Sequence, residues 1–284
     1  MAYFDNKLAY ITGGSSGIGL ETAKLLASQG CSVILMARNS KKLEEAATTI
    51  GALTPSSTQR VDFISVDVSD NKDVQKKIDE AVERFGIPDI LINSAGTAYG
   101  DYFENIKFDD FDRVMKINVY GTWNIISTLL PYMKQKKAGH IVNLSSLAGL
   151  IGMFGYSLYG TTKFAVAGMS EILRSELKRY NIRVTVVCPP EVTTPLLEQE
   201  KDTLPPEGRA VKNLAGLLKP EQVAKTIVKG IKRKKFLVIP GVAAKFLYFN
   251  HRISNGLFTR VPADLIASFT AWRLRRQSEK NLPK

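Results

Sequence analysis

Tyr159 and Lys163, in the stretch SLYGTTKF, are the clearest candidates for acid–base chemistry in this 284-residue chain. Four positions apart on a helix, their side chains lie on one face, one turn from each other. A free phenol ionises near pH ~10, but a neighbouring ammonium favours the phenolate and lowers the pKa. We therefore predict that Lys163 lowers the pKa of Tyr159, and that Tyr159 exchanges a proton with a carbonyl or alcohol oxygen.

Two further polar residues could complete such a site. Ser146 follows the apolar run HIVNL, thirteen residues before Tyr159, where its hydroxyl could hold a carbonyl oxygen. Asn118 falls within a helical pattern among apolar neighbours, where an amide is unfavourable unless its hydrogen-bonding groups are used. Turn chemistry at Ser146 and a bond to a backbone carbonyl at Asn118 are the ordinary alternatives.

A glycine-rich turn stands near the start of the chain, in YITGGSSGIGLETAKLL, between a predicted strand and a predicted helix. Glycine is needed where a phosphate comes close to main-chain N–H groups, and the helix presents its positive end to that phosphate. At this position the turn predicts a dinucleotide site. Its predicted contacts are Gly13, Ser15, Ser16, Gly17, Ile18 and Gly19.

The end of the second predicted strand indicates which dinucleotide is preferred. An acidic residue there would bind the free ribose hydroxyls of NAD, but this chain has Arg38, with Lys42 behind it. Arginine can pair bidentately with a 2′-phosphate, so we predict NADPH/NADP⁺ rather than NADH. A solvated arginine at the end of a strand is the competing interpretation.

Residues after the third and fourth strands are predicted to contact the rest of the cofactor. Asp67, followed by Val68, could accept a hydrogen bond from the adenine amino group or could cap a helix, and both interpretations stay open. Asn93 ends the next strand and is predicted to lie under the cofactor ribose, where Ala95 and Gly96 leave room.

Short β-branched and aliphatic runs alternate with amphipathic helical stretches along most of the chain. This rhythm predicts an α/β fold with a doubly wound parallel sheet. We assign residues 1–230 to one catalytic, nucleotide-binding domain. Within it, residues 193–215 are polar and proline-rich and follow the sixth strand, so they are predicted to form a substrate lid.

Composition narrows the class of protein. The chain is 44% hydrophobic and 23% charged, which is typical of a folded soluble domain. Cys31 and Cys188 adjoin predicted buried strands, so we interpret them as small apolar residues in a reducing compartment, with no disulfide and no metal site. The amino terminus lacks the pattern of a signal peptide, which predicts a protein on the cytosolic side.

Residues 231–284 form a basic extension. They contain twelve Lys and Arg against Asp264 and Glu279, a net charge of +10 out of the +12 of the chain. Basic and aromatic residues alternate in it, which favours peripheral contact with an anionic membrane, at the endoplasmic reticulum if the source is eukaryotic. Packing on the protein body or on a second subunit is the alternative, and nucleic-acid binding is disfavoured because no reader motif accompanies the charge.

Taken together, the glycine turn, NSAG after the fourth strand, Asn118, Ser146 and the Tyr159/Lys163 pair resemble the short-chain dehydrogenase/reductase family over residues 5 to 230. The resemblance implies a Rossmann-type sheet of about seven strands and a nicotinamide cosubstrate. It also implies a catalytic tetrad of Asn118, Ser146, Tyr159 and Lys163, in which Lys163 bonds the cofactor ribose and the asparagine carbonyl holds a water. Homodimers or homotetramers through the two long helices are implied as well.

The loop after the sixth strand departs from the usual pattern of that family. Pro-Pro stands at Pro189-Pro190 in CPPEVTTP where Pro-Gly is usual, so this loop is stiffer; Pro189, Val192 and Thr194 remain expected cofactor contacts. The run, with KPEQVAKTIVKGI, resembles the branch that reduces 3-ketodihydrosphingosine, a long-chain lipid ketone. Other substrates, such as 3-oxoacyl thioesters or steroid and retinoid ketones, and a catalytically silent NADP(H)-binding sensor or scaffold are the alternatives.

Overall fold

A seven-stranded, entirely parallel sheet forms the centre of the protein in the computed structural model, which describes residues 3–200 and 203–280. Its strands are β1 (Leu8–Thr12), β2 (Ser32–Ala37), β3 (Val61–Ser65), β4 (Ile90–Asn93), β5 (Gly139–Leu144), β6 (Ile182–Val187) and β9 (Leu237–Val238). The strand order is β3-β2-β1-β4-β5-β6-β9, so the chain winds outward in both directions from β1. The doubly wound sheet expected from the sequence is confirmed.

Alternate residues of the strands enter two separate cores, which is why the strands are apolar throughout. Ile11 and Leu35 face one core, whereas their neighbours Tyr10 and Ile34 face the other. Because helices cover both faces, neither face of the sheet is left polar. The helices are α1 (Gly17–Ala27), α2 (Ser40–Gly51), α3 (Asn71–Phe85), α4 (Phe108–Met115), α5 (Gly121–Lys136), α6 (Ser157–Glu176), α7 (Pro195–Glu200), α8 (Pro206–Lys212), α9 (Pro220–Lys232), α10 (Val242–Ile253) and α11 (Leu257–Lys280).

The long helix predicted around Asn118 is not uniform. A π-helical segment, Lys116–Tyr120, joins α4 to α5, and Asn118 lies in its middle. A π turn inserts one extra residue and rotates the side chains that follow, a device often found at functional sites. Periodicity in the sequence does not reveal it.

The predicted lid contains short helices, one of the two forms that its sequence allows. It includes α7, α8 and a 3₁₀ turn at Asn213–Ala215, and it is flanked by a two-stranded parallel pair, β7 (Glu191–Val192) and β8 (Leu217–Leu218). Residues 201 and 202 of the lid lie outside the described residues, as do 281–284 of the extension. The role of residues 193–215 as a substrate lid stays a prediction.

The basic extension contributes both to the sheet and to the surface. Its first residues supply β9, which pairs with β6, so the sheet continues past the predicted boundary at residue 230. After β9, α10 packs through Ala244 and Leu247 on the body, and α11 packs against α8 of the lid. Among the described residues, no helix has the length and apolarity needed to cross a membrane.

Candidate active site

Tyr159 and Lys163 lie on the buried face of α6, as their spacing predicts. They are 9% and 6% exposed, and with Val166 and Ser170 they form the stripe that α6 turns toward the sheet. The Lys163 Nζ lies 5.6 Å from the centre of the Tyr159 ring and donates to the backbone carbonyl of Leu144, 3.0 Å away. The end of β5 therefore holds the lysine beside the tyrosine.

The predicted lowering of the Tyr159 pKa is wrong for the protein without nucleotide. Burial raises the pKa of Tyr159 above its usual value, and a hydrogen bond with Ser146 lowers it only partly. Burial also lowers the pKa of Lys163 to about 8. Both shifts have one physical cause, because a site that excludes water disfavours the charged form of either group. The phenol is thus neutral near pH 7.

Ser146 meets this pair from the end of β5. Its extended backbone starts a 3₁₀ turn at Leu147–Gly149, and its Oγ accepts a hydrogen bond from the Ala148 N–H at 3.2 Å. Its neighbour Ser145 donates to the backbone carbonyl of Lys163 at 2.8 Å, so β5 and α6 are joined directly behind the site. Both serines line the cavity, and Ser146 is the one whose side chain makes a hydrogen bond with Tyr159.

Asn118 uses its whole amide in fixing the loop after β4. The Oδ1 atom accepts from the Thr97 N–H at 2.8 Å, and Nδ2 donates to the Thr97 carbonyl and to Thr162 Oγ1, each at 2.9 Å. Thr97 and Thr162 had no distinguishing sequence signal. The arrangement makes Asn118 a positioning residue for the Thr97 loop and for α6, at the residue that precedes Lys163.

A cavity beneath the lid brings most of the predicted catalytic and nicotinamide-side residues together. This central cavity has a volume of about 120 Å³. From the predicted set, its walls include Ile18, Gly96, Ser146, Tyr159, Lys163, Pro189, Val192 and Thr194. Thr194 approaches the glycine turn closely, since a Cβ on Gly17 would lie 3.2 Å from its methyl carbon.

A second space, the outer groove, adjoins the first at Gly96, which lines both. It brings together six of the predicted cofactor contacts: Gly13, Arg38, Asp67, Val68, Ala95 and Gly96. The glycine turn fits a dinucleotide, because Gly13 has φ +66° and a Cβ on Gly19 would collide with the Gly13 carbonyl. Asp67 lines the groove, and its Oδ1 accepts two hydrogen bonds from Ser69. Both interpretations of Asp67, as an adenine contact and as a cap, therefore stay open.

Other predicted contacts do not line either space. Asn93 is buried and donates from Nδ2 to Asn143 Oδ1 at 2.9 Å, while its own Oδ1 has no partner within the described residues. Lys42 is exposed on α2, and its backbone N–H is capped by Asn39. Ser15 and Ser16 lie on the glycine turn outside both linings. Their roles as cofactor contacts stay predictions.

Sequence reasoning missed a second buried polar group in the central cavity. Glu200 of α7, Lys212 of α8 and Glu191 of β7 meet there, beside Tyr156. The Lys212 Nζ lies 2.6 Å from Glu200 Oε1 and 3.0 Å from Glu191 Oε1. The residues are far apart in sequence and in a stretch of mixed charge, so spacing offered no signal. Thr12, the first residue of the glycine motif, had no predicted contact; its Oγ1 accepts from the Ser94 and Ala95 N–H groups at 3.1 Å.

Comparison with known proteins agrees with this geometry. The sequence profile of the family described as short chain dehydrogenase matches residues 7–205. A mouse protein named 3-ketodihydrosphingosine reductase is 42% identical over 220 residues, which are 77% of this chain and 66% of that protein. A Danio rerio protein named 3-dehydrosphinganine reductase is 40% identical with the same coverage. The chain thus spans about two thirds, 66%, of the length of these relatives.

Solved structures show the same fold. A short chain dehydrogenase/reductase from Burkholderia phymatum, solved in complex with NAD, superposes with a TM-score of 0.76 at 26% identity, over 89% of this chain and 97% of that one. Levodione reductase gives a TM-score of 0.76 at 25% identity, over 85% of this chain and 99% of its own. The profile match and the outer groove support a nicotinamide dinucleotide as cofactor. The chain belongs to the short chain dehydrogenase family.

Proposed function

We propose that this protein reduces the ketone of 3-ketodihydrosphingosine to the secondary alcohol, with NADPH as reductant. The observation that carries the proposal is the meeting of Ser146, Tyr159 and Lys163 in one cavity that adjoins the dinucleotide groove. The names and the 40–42% identity of the mouse and zebrafish relatives point to this substrate.

Tyr159 is the proton donor in this proposal, and burial keeps its phenol protonated and ready for reduction. When bound, the reduced nicotinamide supplies a hydride to the carbonyl carbon. The C=O electron pair then moves to the oxygen, which takes the proton of Tyr159. Ser146 holds the same oxygen by a hydrogen bond. The Lys163 ammonium offsets the negative charge left on the tyrosine. Water held by the Asn118 carbonyl stays a prediction.

The hydrocarbon chain of the substrate needs more room than the central cavity offers. A neighbouring space, the lateral cavity, has a volume of about 570 Å³ and shares Leu147, Met153 and Ala215 with the central one. That volume is within the ~300–1,000 Å³ typical of small-molecule sites. Its lining is largely apolar and includes Ala263 and Ala267 of α11. We place the chain there, leading from Tyr159 to the extension.

The extension is then the surface that meets the membrane. On α10 the exposed apolar residues Val242, Phe246, Phe249 and Ile253 recur at the spacing of one helix face, and α11 carries a similar stripe from Phe258 to Trp272. Basic residues of the extension flank both stripes. Helices with an apolar stripe flanked by cations bind anionic membrane surfaces, because the stripe enters the interface and the cations contact the headgroups. We infer that α10 and α11 lie in the interface in this way.

Flotation on vesicles containing anionic lipid tests this contact with the full chain. We expect Phe246→Ser with Phe249→Ser to lose flotation, whereas the control Leu53→Ser, at an exposed apolar residue after α2, keeps it. Equal flotation of both variants would contradict membrane contact. A change of oligomeric state in place of lost flotation would assign the stripes to a second copy of the chain.

NADPH preference rests on Arg38, which is exposed at the mouth of the outer groove. Hydrogen bonds to charged groups contribute about 1.5–3 kcal/mol, so Arg38→Gln should lower kcat/KM for NADPH about 10- to 100-fold and leave that for NADH nearly unchanged. Arg179→Gln, at an exposed arginine after α6, is the matched control. An unchanged NADPH/NADH ratio in Arg38→Gln would remove the assignment.

A dimer through the helices that hold Asn118 and Tyr159 is also proposed. Trp123 of α5 and Ile172 of α6 are each 60% exposed, and a second copy of the chain would cover them. Light scattering with size-exclusion chromatography should give a molar mass that is a multiple of the chain mass. Trp123→Glu should lower that molar mass. A monomer at all concentrations would contradict it.

The activity itself is tested by NADPH absorbance with a panel of ketones. We expect 3-ketodihydrosphingosine to outcompete β-ketoacyl thioesters and steroid ketones. Tyr159→Phe should lose about 10³-fold in kcat while still binding NADPH, since proton transfer contributes ~10²–10⁴-fold. The control Tyr132→Phe, whose hydroxyl bonds the exposed Asp79, should match the wild type. NADPH binding without turnover of any ketone would favour a sensor.

A further inference from the structure

The lid places an ionic group inside the central cavity. Lys212 lies between Glu191 and Glu200, and the side chains of the three are 11%, 16% and 8% exposed. Tyr156, itself buried, donates its hydroxyl to Glu200 Oε1, the same oxygen that receives Lys212. α7, α8 and β7 thus each contribute one charge to a single buried cluster, which we call the lid triad (Glu191, Glu200, Lys212).

The lid triad is not neutral by itself. Two carboxylates and one ammonium carry a net charge of −1 on side chains that are at most 16% exposed. An uncompensated charge in a water-poor cavity is costly unless a partner balances it. Glu200, which is 6% exposed, receives both of its contacts on Oε1, and no donor among the described residues reaches its Oε2. The cluster therefore has a carboxylate oxygen that can accept one more donor.

The position of the spare oxygen relates it to the reacting atoms. The rings of Tyr156 and Tyr159 have centroids 5.3 Å apart, so the residue that bonds Glu200 packs on the proposed proton donor. The Glu200 carboxylate is also close enough to raise the pKa of Tyr159, after the larger effect of burial. A cation bound by Glu200 would accordingly lie in the same cavity as a carbonyl held by Tyr159 and Ser146.

We propose that Glu200, supported by Glu191, binds a protonated amino group on the carbon beside the ketone, and that the site selects cationic α-amino ketones over neutral ketones. This inference rests on the proposed ketone reduction, and the amino group is the feature of the substrate that the lid recognises. Lys163 is the other cation of the cavity, but it is held at the Leu144 carbonyl on the β5 side. The carboxylates on the lid side receive the amine.

A purely fastening role for the lid triad makes a different prediction. Lys212 joins α7, α8 and β7, so loss of any charge could loosen the lid without regard to the substrate. Under that role, Glu200→Gln lowers kcat/KM for every ketone by the same factor. Under recognition, it lowers kcat/KM only for the amino ketone.

The experiment compares three ketones of equal chain length: 3-ketodihydrosphingosine, its N-acetyl amide, and 1-hydroxyoctadecan-3-one. We expect the wild type to favour the amine about 10- to 100-fold in kcat/KM, the range of a charged hydrogen bond. Glu200→Gln should reduce this preference to within about 3-fold by losing rate on the amine alone. Glu198→Gln, two residues away on the exposed side of α7, is the matched control and should keep the wild-type preference.

Equilibrium binding separates failure of this inference from failure of the proposed function. Dihydrosphingosine and octadecane-1,3-diol differ only in the amine and need no turnover. We expect the NADP⁺-loaded wild type to bind the amine about 10-fold or more tightly than the diol, and Glu200→Gln to bind the two alike.

If no ketone is reduced but the wild type still binds dihydrosphingosine more tightly than the diol, the proposed reductase activity is wrong and the amine site stands. Equal affinity of the wild type for both ligands, or an equal loss on all three ketones in Glu200→Gln, would overturn the inference. If Glu200→Gln does not fold, Glu191→Gln is measured in the same way and is expected to weaken the preference.

Discussion

Two buried lysines line the same cavity with opposite surroundings. Lys163 is held by the Leu144 carbonyl, and no carboxylate among the described residues lies within ion-pair distance of it. Lys212, across the cavity, lies between Glu191 and Glu200. Burial without a counter-charge lowers the pKa of Lys163 to about 8, which leaves a charge that changes near neutral pH.

The difference separates two uses of a buried ammonium. A buried lysine without a carboxylate has a lowered pKa, because desolvation disfavours its charged form, so its charge beside Tyr159 can change near neutral pH. A lysine between two carboxylates fastens three elements of the lid and leaves a net negative charge for a ligand. Exchanging each lysine for methionine, which has a similar length and no charge, tests whether the two uses are distinct.

Lys212→Met should produce the largest loss of stability. It leaves two buried carboxylates without their counter-charge, and breaking a buried ion pair costs about 3–5 kcal/mol. Urea unfolding should show this decrease in the free energy of unfolding. Adding Glu191→Gln and Glu200→Gln should recover most of it, and a loss below about 1 kcal/mol in Lys212→Met would contradict the fastening role.

Lys163→Met should affect activity rather than stability. We expect kcat/KM for ketone reduction to fall about 10²-fold, because the phenolate left by proton transfer loses its compensating charge. Urea unfolding of the same variant should change by less than about 1 kcal/mol, since a desolvated cation without a counter-charge is removed. A loss of stability as large as in Lys212→Met would erase the distinction between the two lysines.

His140 extends the comparison to a buried base that is neutral. Burial lowers its pKa to about 4, and its Nε2 lies 2.7 Å from Thr185 Oγ1. The unfolded chain binds a proton near pH ~6.5, so stability is present above that value and is lost as pH falls toward 4. Between pH 7 and 5 we expect a loss of about 2 kcal/mol that His140→Gln removes.

The control for that experiment is His251→Gln, since the chain has two histidines. His251 is only partly buried between α10 and α11; burial and Arg260 lower its pKa too, but not by a large amount, so its variant should retain most of the wild-type dependence on pH. An unchanged dependence in His140→Gln would assign the acid sensitivity to carboxylates instead.

The smallest expected effect is the dependence of the wild-type kcat/KM on pH. With Lys163 losing its proton near pH 8, kcat/KM for reduction should fall about 10-fold between pH 7 and 9. Stopped assays of ketone reduction at saturating reductant measure it. A profile that stays flat to pH 10 would mean that the charge of Lys163 does not contribute to the rate.

Local sequence patterns were sufficient for the sheet and for placing Tyr159 and Lys163 on one buried helix face. The strands could be predicted because alternate residues enter two apolar cores, and the Gly13 turn because its backbone geometry excludes other residues there. Spacing and strand ends singled out Tyr159, Lys163 and Ser146 as candidates, and the family resemblance supplied their catalytic roles, which stay predictions. Each of these features depends on contacts within one element or between neighbouring ones.

Features that depend on the folded environment were not predictable in the same way. The direction of the Tyr159 pKa was wrong because desolvation outweighs the nearby ammonium, and burial is a property of the packed site. The lid triad went unnoticed because Glu200 and Lys212 meet only once two short helices fold over the cavity. The π turn at Asn118 is likewise set by packing between α4 and α5.

The charge of Lys163 can be measured directly by ¹³C NMR of the protein labelled at lysine Cε. The resonance that disappears in Lys163→Met identifies the residue, and the free protein is titrated from pH 6 to 11. The account predicts a midpoint near 8 for this resonance alone. A midpoint at the ordinary lysine value of about 10.4 would contradict the claim that burial keeps this ammonium poised beside Tyr159.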